Sequence, residues 1–221
     1  MYTLCWSAKG GSGTTVVACA LATLAARSRP TLLVDLGGDV GAVLGASTSA
    51  GAGVADWLAS PHAPAHALAH LAVEVTDRLS IVPTGQAGIR RLDAAGAERL
   101  AHACAAATTD TTTVVVDAGP FGHHEVLHRV ADRSLIVLRP CYLSLRRAVQ
   151  QPGLAREVVV ISEPGRAYST ADIERVLGMP VVAEVASDPA VARSVDAGQL
   201  ARRVPSSLSR PLGRLVRAQA H

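Results

Sequence analysis

The chain has 221 residues, of which 49% are hydrophobic, 18% charged and only 3% aromatic. That balance excludes a disordered chain and predicts one folded α/β domain with a core of Ala, Val and Leu. A formal net charge of +3 allows contact with nucleic acid or an anionic membrane but establishes neither.

Cys5, Cys19, Cys104 and Cys141 show no C-x-x-C spacing, so free thiols in a reducing compartment are expected. No apolar run reaches the ~18–20 residues of a membrane span. The first residues lack a basic region followed by an apolar stretch, so no signal peptide is expected. A cytoplasmic protein follows, with peripheral membrane contact left open.

In chain order, a β-like run at residues 3–7 enters a glycine-rich turn and then a helix at 14–27. A strand at 31–35 leads into an irregular stretch, 37–64, with a short helix at 54–59. Further strands are predicted at 79–82, 113–117, 134–138, 158–161 and 181–185. Between them lie helices at 91–106, 123–131, 144–150, 170–177 and 189–197. Short strands apolar on both faces, alternating with helices, predict a doubly wound α/β fold: a mainly parallel sheet with helices on both faces. Residues 1–203 are expected to form the domain, with 204–221 a C-terminal tail helix packed on it.

The turn between the first strand and helix reads Ala8-Lys9-Gly10-Gly11-Ser12-Gly13-Thr14-Thr15. Its glycines permit tight turns and close backbone approach, so successive N–H groups can face phosphate oxygens at a helix N-terminus. Thr15 is placed to offer its hydroxyl to Mg²⁺. Lys9 is the only lysine of the chain; the other 20 basic residues are arginine. A compact ammonium meets phosphate as a point charge where a planar guanidinium needs more room.

The segment Lys9 to Thr15 resembles the deviant Walker A loop, K-G-G-x-G-K-[ST], of the ParA/MinD family of P-loop ATPases. Further segments match in family order. Leu32-Leu33-Val34-Asp35 resembles the strand entering switch I. Val114-Val115-Val116-Asp117-Ala118-Gly119-Pro120 resembles Walker B with switch II. Val176-Leu177-Gly178-Met179-Pro180-Val181-Val182 resembles the late helix-to-strand junction. The low-lysine G-S-G-T-T form looks most like the CpaE/TadZ branch.

The resemblance implies ATP and Mg²⁺ as ligands and a homodimer that positions an unidentified cargo. Lys9 would be the signature lysine, reaching the partner subunit's phosphates. Gly10, Gly11, Ser12, Gly13, Thr14 and Thr15 would form the nucleotide cradle. Thr15 and Asp35 would hold Mg²⁺, with Asp117 in its outer sphere or sensing the γ-phosphate through switch II.

Two positions depart from the family pattern. Thr14 stands where a second lysine is expected, and Gly37 where switch I carries a second carboxylate; Asp39 follows two residues on. ATP binding with weak or absent hydrolysis is therefore expected, because phosphoryl transfer depends on such charges. Ser162 occupies the region where the family presents an Asn to the base.

Other readings stay open. The chain could be a pseudo-ATPase scaffold that binds no nucleotide. His124-Glu125-Val126-Leu127-His128 is a literal H-E-x-x-H, the pattern of a zinc peptidase helix; the plainer reading puts both histidines on a solvent-facing helix side. His62, His66 and His70 share a helical stripe. The tail combines Leu208, Leu212, Leu215 and Val216 with Arg210, Arg214 and Arg217, a pattern that can lie on an anionic membrane. Arg90-Arg91, Arg146-Arg147 and Arg202-Arg203 are candidates for a DNA-facing surface.

Overall fold

The computed structural model describes residues 1–47 and 51–217. Residues 218–221 of the predicted tail and 48–50 of the irregular stretch lie outside the described residues.

The strands are β1 Tyr2–Trp6, β2 Thr31–Asp35, β3 Val73–Thr76, β4 Leu79–Val82, β5 Thr113–Asp117, β6 Arg133–Leu138, β7 Glu157–Ser162 and β8 Val181–Ala186. The helices are α1 Thr14–Ala25, α2 Val40–Leu44, α3 Val54–Ala59, α4 Ala67–His70, α5 Ala94–Ala107 and α6 Glu125–Val130. They continue with α7 Tyr142–Val149, α8 Thr170–Leu177, α9 Pro189–Asp196 and α10 Ser206–Arg217.

One eight-stranded sheet runs β3-β4-β2-β5-β1-β6-β7-β8. Every pairing is parallel except the β3–β4 hairpin at one edge. Alternate residues of each apolar strand enter opposite layers. Leu4 and Trp6 of β1 join Val114 and Val116 of β5 in one core. Cys5 and Val115 enter the other, packed with α1 and α10. Burial on both faces is why these strands read as unbroken Val/Leu runs.

Three elements escape the sequence reading. β3 alternates Val and Glu with half-exposed faces, an edge-strand pattern too short to stand out. α2 and α4 are only five and four residues long. The tail forms α10 despite Pro211, with Leu208, Leu212 and Leu215 buried against the α1 side of the sheet. Its apolar face is thereby occupied within the protein. Among the described residues no helix is long and apolar enough to cross a membrane.

The sheet order places the site. β1 lies between β5 and β6, with Cys5 level with Asp117. Asp35 at the end of β2 is level with Asp117 at the end of β5. The carboxyl ends of β1, β2 and β5 thus gather Trp6, Asp35 and Asp117 at one edge, where the order of strands reverses around β1.

Candidate functional site

The phosphate-type loop leaves β1 after Trp6 and enters α1 at Thr14. Gly11 and Gly13 hold φ of 76° and 93°, a left-handed backbone that side chains disfavour. Ser12 Oγ donates to the Lys9 carbonyl at 2.7 Å and closes the loop. Gly13 is the N-cap of α1 and has no side chain to cap its first N–H groups. A β-carbon added at Gly10 or Gly11 would meet open space, so the backbone is accessible from the loop's outer side.

A cavity of about 680 Å³ opens over this loop. Every residue from 6 to 16 except Lys9 lines it, together with Gly37, Asp39, Gly119, Arg147 and others. Lys9 Nζ instead makes a long contact, 3.4 Å, to its neighbour Gly10's carbonyl. A second cavity of about 290 Å³ shares Gly13 and Val16 with the first and is bounded by Ile161, Val185 and Asp188. Ser162 is not among the residues that line it; Ser187 is.

Asp117 is wholly buried. Its Oδ1 accepts from Gly119 N at 3.2 Å, and the Thr15 side chain also bonds its carboxylate. Oδ2 is buried without a partner. Burial, with the nearby Asp35 charge, pushes the Asp117 pKa up to about 6, against the Thr15 hydrogen bond that lowers it. Asp35 is differently engaged: Oδ1 accepts from Gly38 N at 2.7 Å and Oδ2 from Val40 N at 3.1 Å. Burial raises its pKa too, while those backbone N–H groups pull it back. Thr84 Oγ1 donates to the Asp35 carbonyl at 2.8 Å, fixing the strand end.

The two departures lie at the same place. Thr14 Oγ1 is buried beside the cavity with no partner. A β-carbon on Gly37 would stand 3.6 Å from Asp117 Oδ2 and 3.8 Å from Asp35 Oδ1. Glycine therefore keeps a third carboxylate away from two that already repel each other. Asp39, exposed, lines the cavity instead.

An orphaned Asp117 oxygen beside the Thr15 hydroxyl suits a divalent cation, which would supply the missing partner and offset the two carboxylates. The uncapped α1 N-terminus and open glycine backbone suit phosphate. These residues fit Mg²⁺ and a nucleotide.

The H-E-x-x-H segment does not make a metal site. His124 precedes α6 as its N-cap and His128 is buried, contrary to a solvent-facing pair. Both His128 ring nitrogens are used, Nδ1 to Ser134 Oγ and Nε2 to the Gly122 carbonyl, each at 2.6 Å. Since that carbonyl only accepts, Nε2 carries a proton and donates. The ring meets Trp6 edge-on at 5.2 Å between centroids. Among the described residues no group of three or more His, Cys, Asp or Glu could hold a metal ion.

Sequence reasoning missed Trp6, Arg147 and Gln151 as cavity residues. Arg147 was grouped with Arg146 as a DNA-facing pair; the structure turns the two apart, Arg147 onto the cavity. The signal was present: Ser144, Arg147 and Ala148 recur at helical spacing, which puts them on one side of α7, and Gln151 follows just past its end.

No family model and no curated protein sequence matches the chain. Solved structures share its fold along nearly its whole length. A ParA family ATPase from Chlorobium tepidum TLS is 22% identical with a TM-score of 0.74, covering 97% of this chain and 96% of that one. A McdA variant from Cyanothece in complex with ATP is 15% identical, TM-score 0.76, covering 100% and 96%. A MinC:MinD cell division complex from Aquifex aeolicus gives 21% and 0.73, covering 97% and 94%. The chain thus has the ParA/MinD P-loop NTPase fold.

Proposed function

We propose that this protein is a nucleotide-switched spatial or assembly regulator of ParA/MinD type, binding Mg-ATP as a homodimer and hydrolysing it weakly or not at all. The observation that carries the reading is the cavity over the glycine loop. Thr15 and the uncapped start of α1 line it, and the Thr15 side chain bonds the buried Asp117 carboxylate, one oxygen of which has no partner. A McdA variant of the same fold is known with ATP bound.

In this reading the Gly10–Gly13 backbone and the α1 N-terminus hold the phosphates. Thr15 and Asp117 hold Mg²⁺, which would neutralise phosphate charge; this differs from the Thr15 and Asp35 pair that the resemblance implies, because both Asp35 oxygens accept from backbone N–H groups. Asp35 completes that site by tying residues 38–40 to the end of β2, so the switch-like loop is braced next to the cation. The smaller cavity at Ile161, Ser187 and Asp188 receives the base. Lys9, standing outside its own cavity, is free to reach the partner subunit's phosphates.

Weak hydrolysis follows from Thr14 and Gly37. Neither supplies the charge or the water-orienting carboxylate that transfer requires, and losing one preorganised group costs roughly 10²–10³ in rate. The cargo would be a protein, as MinC accompanies MinD in a complex of the same fold. Arg90, Arg91, Arg202 and Arg203 are exposed and available for a weak contact with DNA or an anionic surface. A place in the CpaE/TadZ branch rests on the G-S-G-T-T form of the loop.

A scaffold reading remains, in which the fold dimerises without nucleotide; the neutral Thr14 favours it. Calorimetry with Mg-ATP on wild type and Lys9→Ala, with light scattering on the same samples, separates the two. Micromolar binding that drives dimerisation and is lost in Lys9→Ala supports the switch. No binding at millimolar ATP with unchanged oligomeric state leaves the scaffold.

A further inference from the structure

Thr14 and the outward Lys9 leave the loop with no cationic side chain facing its own cavity. Asp39 lines that cavity and Asp117 lies under it, so a polyphosphate there would meet negative charge that one Mg²⁺ only partly offsets. The cavity wall nonetheless holds one guanidinium. Arg147, in the last turn of α7, lines it together with the first residues of α1.

Several observations make this more than a surface arginine. Ser144, Leu145 and Ala148 are buried and seat α7 firmly on the domain, so the backbone that carries Arg147 is fixed. Arg147 has no hydrogen bond or ion pair among the described residues. The ion pairs there engage Arg133, Arg139, Arg166 and Arg175. Arg146 and Arg147 are both exposed, but only Arg147 lines the cavity. Trp6 Nε1 and Thr14 Oγ1, two buried donors of the same cavity, also have no partner. Gln151 Oε1, an acceptor of the same lining, is buried without a partner as well. Buried polar groups in native proteins are nearly always satisfied, so these three partnerless atoms around one cavity mark a place for a polar ligand.

We propose that Arg147 supplies, within one subunit, the positive charge on the nucleotide's outer phosphates that Thr14 does not. The inference rests on the nucleotide reading above and extends the site to α7, an element no part of the glycine loop specifies. A guanidinium can hold two phosphate oxygens at once, which suits binding more than it suits the compact position of a loop lysine.

The test is calorimetric titration of Mg-ATP and of AMP into wild type, Arg147→Ala, Arg146→Ala and the double variant Thr14→Lys/Arg147→Ala. Thermal melting of each apo protein serves as the folding control. Arg147→Ala is expected to raise the Kd for Mg-ATP roughly tenfold or more, with AMP affinity and melting unchanged. Arg146→Ala is expected to match wild type, and Thr14→Lys to recover affinity in the absence of Arg147. If wild type binds Mg-ATP and Arg147→Ala binds it equally well, the role of Arg147 is overturned while the nucleotide reading stands. An equal loss for ATP and AMP overturns it too, as a packing defect. If wild type binds no nucleotide, both readings fall together.

Discussion

Gly45 and Gly198 meet backbone to backbone: a β-carbon on Gly45 would lie 2.1 Å from the Gly198 carbonyl oxygen. Both hold left-handed φ, 71° and 60°. The contact clamps the end of α2, which follows the Asp35 loop, to the end of α9. Gly45→Ala combines a left-handed alanine with backbone overlap and is expected to cost about 3 kcal/mol. Urea unfolding measures it, and a loss below ~1 kcal/mol would show that the clamp yields easily.

Asp117 gives the apo protein a distinctive pH response. The native state keeps its proton up to about pH 6, whereas the unfolded chain releases it near the ordinary value of 3.8. Between these values the native state binds more protons, so its contribution to stability falls as pH rises, then levels off above 6. The cost at neutral pH is about 3 kcal/mol. Asp117→Asn should therefore be more stable than wild type at pH 7.5 without Mg²⁺, and the two should converge near pH 4. Equal melting temperatures at both pH values would contradict this. The same variant should lose Mg²⁺-dependent nucleotide binding.

His128 should behave as a structural residue. Burial holds its pKa below the usual 6.5, so its contribution to stability is present above that value and is lost as pH falls below it, where the unfolded chain gains the proton. His128→Ala opens a space beside Trp6 and strands the Gly122 carbonyl, while Ser134 keeps its bond to the Leu154 carbonyl, at about 2–4 kcal/mol. His124→Ala should cost far less. Purified protein should contain no stoichiometric zinc by elemental analysis, and neither variant should change that.

The four thiols should react unequally. Burial raises Cys5 and Cys19 well above the ordinary range and pushes Cys104 up to about 12. Cys141, half-exposed at the N-cap of α7, is lowered, mainly by hydrogen bonding with Ser144 and in smaller part by the charge of Lys9. Iodoacetamide at pH 7.5 should label Cys141 first. Lys9→Ala should slow that labelling modestly, and mass spectrometry of the peptides would show whether it does.

Much of this was legible because the strands are short runs of Val, Leu and Ile whose neighbours enter opposite layers. The glycine loop was equally legible, since the left-handed backbone at Gly11 and Gly13 demands glycine. Arg147 was not. Its place depends on β6 pairing with β1 in the middle of the sheet, a contact more than 100 residues apart that no local spacing encodes. Nor does H-E-x-x-H say which way a helix faces; Ser134, on the next strand, decides that by bonding His128. The Asp35 loop reads as irregular because its hydrogen bonds run from backbone to a side chain and leave no periodicity.

A chain with a single lysine carries its own isotope tag. Reductive methylation with ¹³C-formaldehyde would mark one ε-amine, at Lys9, besides the α-amine of Met1, whose basicity burial lowers. Because Lys9 stands outside its own cavity and holds only a 3.4 Å contact to Gly10, its methyl signal should be narrow in the free protein. Broadening or displacement on adding nucleotide would register the arrival of a neighbouring subunit, one atom at a time, with no mutation needed.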